Sequence, residues 1–394
     1  MLLCSIIVAS NREEKLSAAW VVSEEPFFKW GSFVDELKLR AAWGRAGNAP
    51  SPFSADRNLT TTTATLVDGT SGNAIVTNAF GNPNLHAESG QEFEIGFDAG
   101  LLQNRAGLEL TYYNQHTNEA LISVPVPPSS GFSGNVLQNV GEISNSGLEL
   151  ALFGTPIATR NFVWEVRGTI ATNKNEMIDL GGRPPIIFGA FVAVQRHVEG
   201  FPLAGYWAYD VVRDANGIPV LDANGRASLT TDTTYVGPSQ PTREIGLTNT
   251  LTLFGNLRLY AFLDYKGGHY LWSAREWWRS FNQNISQWVN DPAISAEDRA
   301  AYATGATSMF IDNADFIKLR EVSATFTLPR GWAEKFRARG MSFTLSGRNL
   351  AMWTNYDLGT DPELNFSGDA TFTRTDYMSV PMMRYYTATV NLSF

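Results

Sequence analysis

The last nine residues, Tyr386 to Phe394, alternate strictly. Tyr386, Ala388, Val390, Leu392 and Phe394 fall on one face of an extended strand, and Thr387, Thr389, Asn391 and Ser393 fall on the other. One face is apolar and the other wet, as a strand between lipid and an aqueous lumen, or between a core and solvent, requires. The same period of two recurs at Leu16–Ser23, at Leu37, Leu39, Ala41 and Trp43, at Phe93 to Leu101, at Leu108 to Tyr113 and at Leu148 to Leu152. It continues at Phe162 to Ile170, Ile245 to Leu253, Leu257 to Asp264, Val322 to Leu328 and Phe343 to Arg348. This pattern predicts about eleven amphipathic strands and an all-β, antiparallel chain.

The connections sort the possibilities further. Tight turns at Gln103-Asn104, Thr159-Arg160-Asn161 and Gly255-Asn256 alternate with long polar stretches near residues 47–90, 115–145, 174–242, 266–315 and 353–384. Loops this long are uncommon in compact soluble domains, whereas outer-membrane barrels pair short periplasmic turns with long extracellular loops. No apolar run reaches the roughly 20 residues of a spanning helix, so any crossing of a bilayer must be made by strands. The expected fold is a portion of a transmembrane β-barrel with long extracellular loops. A secreted or surface β-sandwich that binds carbohydrate is the competing reading; it explains the alternation but not the two-sided loop asymmetry.

The net charge of −9 carries no basic footprint, so nucleic acid is not an expected partner. The single Cys4 excludes an intramolecular disulfide framework and a cysteine-based zinc site. His86, His116, His197 and His269 are too scattered for a metal motif, and no nucleophile elbow or Walker loop is present. Neither catalytic residues, a cofactor nor a metal are expected. Asp214-Ala-Asn-Gly217 and Asp222-Ala-Asn-Gly225 invite a calcium reading, but Ile218 and Pro219 stand where an EF-hand loop needs an oxygen ligand and a glycine. Two hairpin turns are the better expectation.

Two groups stand out as contact sites. Trp272, Trp277, Trp278 and Trp288 lie in one long loop, where they can face a substrate or partner or pack the loop's own core. Glu92, Glu94, Glu109, Glu149, Glu165 and Asp264 fall on the wet faces, where Arg40, Arg167 and Arg258 are available as cross-strand partners. Ser295-Ala-Glu-Asp298 predicts a capped short helix. Met1 to Ser10 has a short apolar core without a basic n-region, so residues 1–15 read as an atypical start, an artefact of frame more than a signal peptide, and residues 16–394 as the barrel portion.

Several phrases, in order along the chain, resemble the C-terminal half of the SusC/RagA-like TonB-linked (TonB-dependent) outer-membrane transporters. They include Ser17-Ala-Ala-Trp20, Leu37-Lys-Leu-Arg40, Gly81-Asn-Pro-Asn-Leu85, Tyr112-Tyr-Asn114, Leu137-Gln-Asn-Val-Gly141, Phe316-Ile-Lys-Leu-Arg320, Gly347-Arg-Asn-Leu350, Asp361-Pro-Glu363 and the terminal Phe394. The resemblance implies about half of a 22-stranded plugged barrel in the outer membrane of a Gram-negative-type bacterium, with the plug and the TonB-contacting region missing. It further implies import of bulky nutrients, oligosaccharides before peptides, with a SusD-like lipoprotein as partner and TonB engaged only through the missing region. Tyr386, Val390, Leu392 and Phe394 would then carry the C-terminal signal read by the barrel assembly machinery.

Overall fold

A computed structural model describes the chain except Met1 and residues 10–12, 31–32, 133 and 368–371. Twelve strands pair in chain order as the path of one antiparallel sheet: β1 Leu2–Ala9, β2 Glu13–Val21, β3 Val34–Ala46, β4 Ser89–Leu101, β5 Ala106–Asn118 and β6 Glu142–Ala158, then β7 Phe162–Thr172, β8 Arg243–Leu253, β9 Leu257–Gly267, β10 Phe316–Thr327, β11 Gly340–Thr354 and β12 Tyr385–Ser393; a thirteenth, Lys174–Asp179, pairs with β6 off this path. The path has one strand more than the alternation predicts. The apolar stretch within Met1 to Ser10, an expected start artefact whose first and last residues lie outside the described residues, contributes β1, paired with β2 from Leu2↔Trp20 to Ala9↔Glu13. A strand of 13 residues, such as β3, extends about 43 Å. That suffices to cross a ~25 Å apolar band at the usual tilt.

Pairing aligns the apolar positions into unbroken rows. Trp20, Leu39, Phe97, Leu110, Leu150, Ile170, Ile245, Tyr265, Ile317 and Trp353 are successive cross-strand partners from β2 to β11. Leu37, Ala99, Leu108, Leu152, Gly168, Leu247, Leu263, Leu319 and Ala351 form a second row. Leu39, Leu148, Leu152, Ile170, Leu247 and Leu345 are exposed, with no covering layer. A sandwich would bury this face against a second sheet; here it forms a belt.

The opposite face is polar and charged. Arg40 meets Asp98 at 2.8 Å, Lys38 meets Asp98 at 3.6 Å, Arg167 approaches Glu109 at 3.9 Å and Arg348 meets Glu321 at 2.9 Å. Asp264 pairs with Arg320, not with the Arg258 on its own strand.

Antiparallel order places residues 47–88, 119–141, 173–242, 268–315 and 355–384 at one end of the sheet, and residues 22–33, 102–105, 159–161, 254–256 and 328–339 at the other. All the long connections share the first end. The pairing path runs from β1 to β12 without joining them among the described residues.

Candidate functional site: a loop assembly and its ionic anchor

Three of the long connections fold on one another at their end of the sheet. Their common core contains Tyr206 from residues 173–242, Leu271, Trp272 and Phe310 from residues 268–315, and Tyr356 and Leu358 from residues 355–384. A short ladder, Tyr270–Trp272 against Ile311–Asn313, turns Trp272 into this core, where it is 0% exposed. Hydrogen bonds between loops complete the assembly. Tyr206 Oη donates to the Arg374 carbonyl at 2.7 Å, Tyr356 Oη to Asp376 Oδ2 at 3.1 Å, and Gln195 Oε1 accepts from the Arg374 amide at 2.8 Å. Burial pushes both phenols well above the usual tyrosine range and raises the Asp376 carboxyl too. All three groups are neutral donors or shielded acceptors, as a packed interior demands.

The four candidate tryptophans do not share one surface. Trp272 is buried; Trp277 and Trp288 pack against the core with area left exposed, and Trp278 follows Trp277 with ring centroids 6.2 Å apart. Trp288 stacks on Tyr302 at 5.2 Å. Tyr302 belongs to the helix Ala296–Thr304, whose Ser295 hydroxyl accepts from the Asp298 amide at 3.0 Å, the capping arrangement expected from the sequence. On the edge strand β12, Tyr386, Val390 and Leu392 lie exposed on the apolar face, with Phe394 exposed just beyond it.

An ionic cluster fastens the assembly to the barrel wall. At Arg320 the register of β10 slips against both neighbours, between Phe262 and Leu263 on β9 and between Leu319 and Glu321 on its β11 side. Such a bulge re-aims a side chain, and Arg320 and Lys318 both reach residues of the loop 355–384. Lys318 Nζ donates to Asp361 Oδ1 and Oδ2 at 2.7 and 2.8 Å and also contacts Glu363; Arg320 Nη1 and Nη2 grip Glu363 at 2.7 and 2.6 Å, and its Nε reaches Asp264 at 2.9 Å. Burial would raise the Glu363 carboxyl, but hydrogen bonds and charge from Arg320 and Lys318 outweigh it and hold the group down at about 2. Sequence reasoning did not find this cluster. Its two halves were visible only as separate phrases, Phe316 to Arg320 and Asp361 to Glu363, with no local signal of their meeting.

Asp214 and Asp222 close turns. Asp214 Oδ1 accepts from the Asn216 and Ile218 amides at 2.8 and 2.9 Å, and Asp222 Oδ1 accepts from those of Asn224 and Arg226 at 2.8 and 2.9 Å. Gly217 and Gly225 supply the left-handed φ of 81° and 74° that each turn requires. Among the described residues no group of three or more His, Cys, Asp or Glu is placed to hold a metal.

Comparison with known proteins agrees with this architecture. The family model described as TonB dependent receptor-like, beta-barrel, matches residues 15–350. The chain is 28% identical to TonB-dependent receptor P26 of Formosa agariphila over 91% of its own length and 40% of the relative's. It is 24% identical to TonB-dependent receptor SusC of Bacteroides thetaiotaomicron over 90% of its length and 38% of the relative's. It therefore spans about two-fifths of the curated relatives it matches. Its fold resembles that in the structure of the RagAB peptide transporter, with TM-score 0.78 and 21% identity over 97% of this chain and 43% of that one. The chain belongs to the TonB-dependent receptor-like β-barrel family, in its SusC/RagA-like branch, and is an outer-membrane protein.

Proposed function

We propose that the chain is the C-terminal barrel segment of a TonB-dependent transporter that imports bulky nutrients, oligosaccharides in the first instance, without covalent chemistry. The reading rests on one observation above all: an apolar row ten strands wide, with ion pairs on the reverse face and every long loop at one end. Lipid on the belt, a wet lumen behind it and substrate or partner at the loop end follow from that arrangement. Trp277, Trp278 and Trp288 are the loop tryptophans we assign to contact with a SusD-like lipoprotein or substrate. Tyr386, Val390, Leu392 and Phe394 are assigned to recognition by the barrel assembly machinery. Energy from TonB would arrive through the N-terminal region of a complete transporter, so this segment alone is not expected to drive uptake. The family is one of receptors and transporters, and we extend the same non-enzymatic reading to this chain.

The test is to express the chain in a Gram-negative host and follow its fractionation, its protease protection and uptake of a labelled oligosaccharide. Insertion into the outer membrane without uptake is expected. A water-soluble monomer that binds sugar would overturn the reading in favour of a surface carbohydrate-binding protein.

A further inference from the structure

The short-turn end of the sheet carries a patch whose charge runs against that of the chain. Residues 328–339, which join β10 to β11, hold Arg330, Lys335, Arg337 and Arg339 against Glu334 alone, in a chain of net charge −9. Arg330 meets Glu334 at 3.2 Å, and among the described residues no carboxylate pairs with Lys335, Arg337 or Arg339. The connector is nevertheless fixed. It runs through the helical turns Arg330–Ala333 and Glu334–Phe336, Ala333 and Ala338 are buried, and the Leu328 and Arg339 amides donate to the Met341 and Ser393 carbonyls at 2.9 and 2.7 Å. What it turns outward is apolar and cationic together: Trp332 and Phe336 are 63% and 61% exposed, and Lys335 Nζ lies 5.9 Å from the centre of the Trp332 ring. The apolar face of the same strands is hollowed. Leu251, Leu259, Ala324, Leu345 and Ala388, successive cross-strand partners from β8 to β12, line an open hollow of about 640 Å³ together with Gly347. The row nearer the connector carries Phe326 and Val390 where this one has Ala324 and Ala388, so the missing side-chain volume is local. Ala324 lies three residues before the end of β10 and Leu345 five residues into β11. The hollow therefore begins about 10 to 17 Å along the strands from the connector, and one leaflet of a ~30 Å hydrocarbon core is about 15 Å deep.

We infer that the connector and the hollow form one site for an anionic glycerophospholipid, with its phosphate on Lys335, Arg337 and Arg339 and an acyl chain in the hollow. The inference rests on the reading of the belt as lipid-facing and goes beyond transport to what the wall itself binds. Cations without carboxylate partners select an anionic ligand. A soluble anion gives no reason for the exposed Trp332 and Phe336, whereas such rings sit at headgroup level in a bilayer interface and Lys and Arg stems reach past them to the phosphates. An acidic protein would answer the charge and the rings but would leave the hollow, which lies within the belt, unfilled. A lipid answers all three, because its charge and its tail are joined at the spacing of the two features. Short turns face the periplasm in outer-membrane barrels, so the lipid belongs to the periplasmic leaflet.

The site is tested by native mass spectrometry of the full chain, extracted from outer membranes into detergent and titrated with dioleoyl phosphatidylglycerol, dioleoyl phosphatidylcholine and the short-tailed dihexanoyl phosphatidylglycerol. Dioleoyl phosphatidylglycerol should be held at least tenfold (about tenfold or more) more tightly than either of the others. The Lys335→Gln/Arg337→Gln/Arg339→Gln variant, changed only at exposed side chains, should bring it down to the phosphatidylcholine level. Ala324→Phe/Ala388→Phe fills the hollow and should weaken both long-tailed lipids about fivefold while preserving the preference between their headgroups. Circular dichroism of the strands controls for folding. Equal retention of the two long-tailed lipids, equal retention of the long- and short-tailed phosphatidylglycerols, or wild-type affinity in either variant would each overturn the proposal, the last for the filled hollow leaving an acidic protein as the better partner for the cations. Membrane insertion is read separately by fractionation: a chain that inserts but shows no headgroup preference sinks this site alone, and one that never inserts sinks the barrel reading with it.

Discussion

Replacing Asp361 with alanine should release the loop 355–384 from the barrel wall and leave the wall itself intact. The substitution removes two charge-assisted bonds to Lys318, at 2.7 and 2.8 Å, and the bond from the Glu363 amide to Asp361 Oδ1 at 3.0 Å. Removing one partner of a fully buried ion pair costs about 3–5 kcal/mol, because the other charge is left stranded. Lys318 and Asp361 are both buried, with side chains 5% and 7% exposed, but Lys318 would still hold Glu363. The loss should therefore fall to that of charged hydrogen bonds, about 2 kcal/mol, or a roughly 30-fold rise in local opening. Amide hydrogen exchange reads this directly at Leu364, bonded to the Asp361 carbonyl, and at Phe366, bonded to the Thr375 carbonyl. Both should exchange about 30 times faster, while amides in β3 to β5 keep their rates. The Lys318→Met/Asp361→Leu pair, with no stranded charge, should restore most of the protection. The reasoning fails if Phe366 exchanges at the wild-type rate in Asp361→Ala, if the strand amides accelerate equally, or if the double variant is as loose as the single one.

Leu150→Arg places a charge in the longest apolar row and should cost about 2–4 kcal/mol near the bilayer midplane, read as lost assembly into outer membranes or vesicles. Trp272→Ala should cost about 3–5 kcal/mol of loop stability by emptying a fully buried site; protease cleavage within residues 268–315 should appear while the strand signal in circular dichroism persists. Acid should loosen the anchor as well. Because Glu363 sits at about 2 in the fold against 4.5 when unperturbed, its contribution is complete above pH 4.5 and is lost as pH falls toward 2. Phe366 exchange, corrected for the intrinsic pH dependence, should rise only across that window, and a Glu363→Gln variant should show no such rise.

How much of this was legible in the chain depends on the range over which each part is encoded. Strands carry their signal in adjacent residues, since a period of two sends Leu148, Leu150 and Leu152 one way and Gly147, Glu149 and Ala151 the other whatever the rest of the chain does. Eleven of the twelve strands could be placed for that reason. β1 escaped because Leu2 to Ala9 has apolar residues at adjacent positions and a leader-like composition that masks its period. The anchor is the opposite case. Lys318 and Asp361 are 43 residues apart, and nothing near either says that a bulge at Arg320 will slip the register and bring them together. The tryptophans fall between these limits: their clustering was readable, but which of them is buried depends on Tyr206, Phe310 and Tyr356, contributed by three different connections. This division has a physical consequence for the protein. The wall is specified locally and repeats, so a change in one strand face is tolerated or rejected by depth in the bilayer. The loop assembly is specified by a few long-range contacts and one ionic anchor, so a single substitution at Asp361, Glu363 or Arg320 can move a whole candidate binding surface without disturbing a strand.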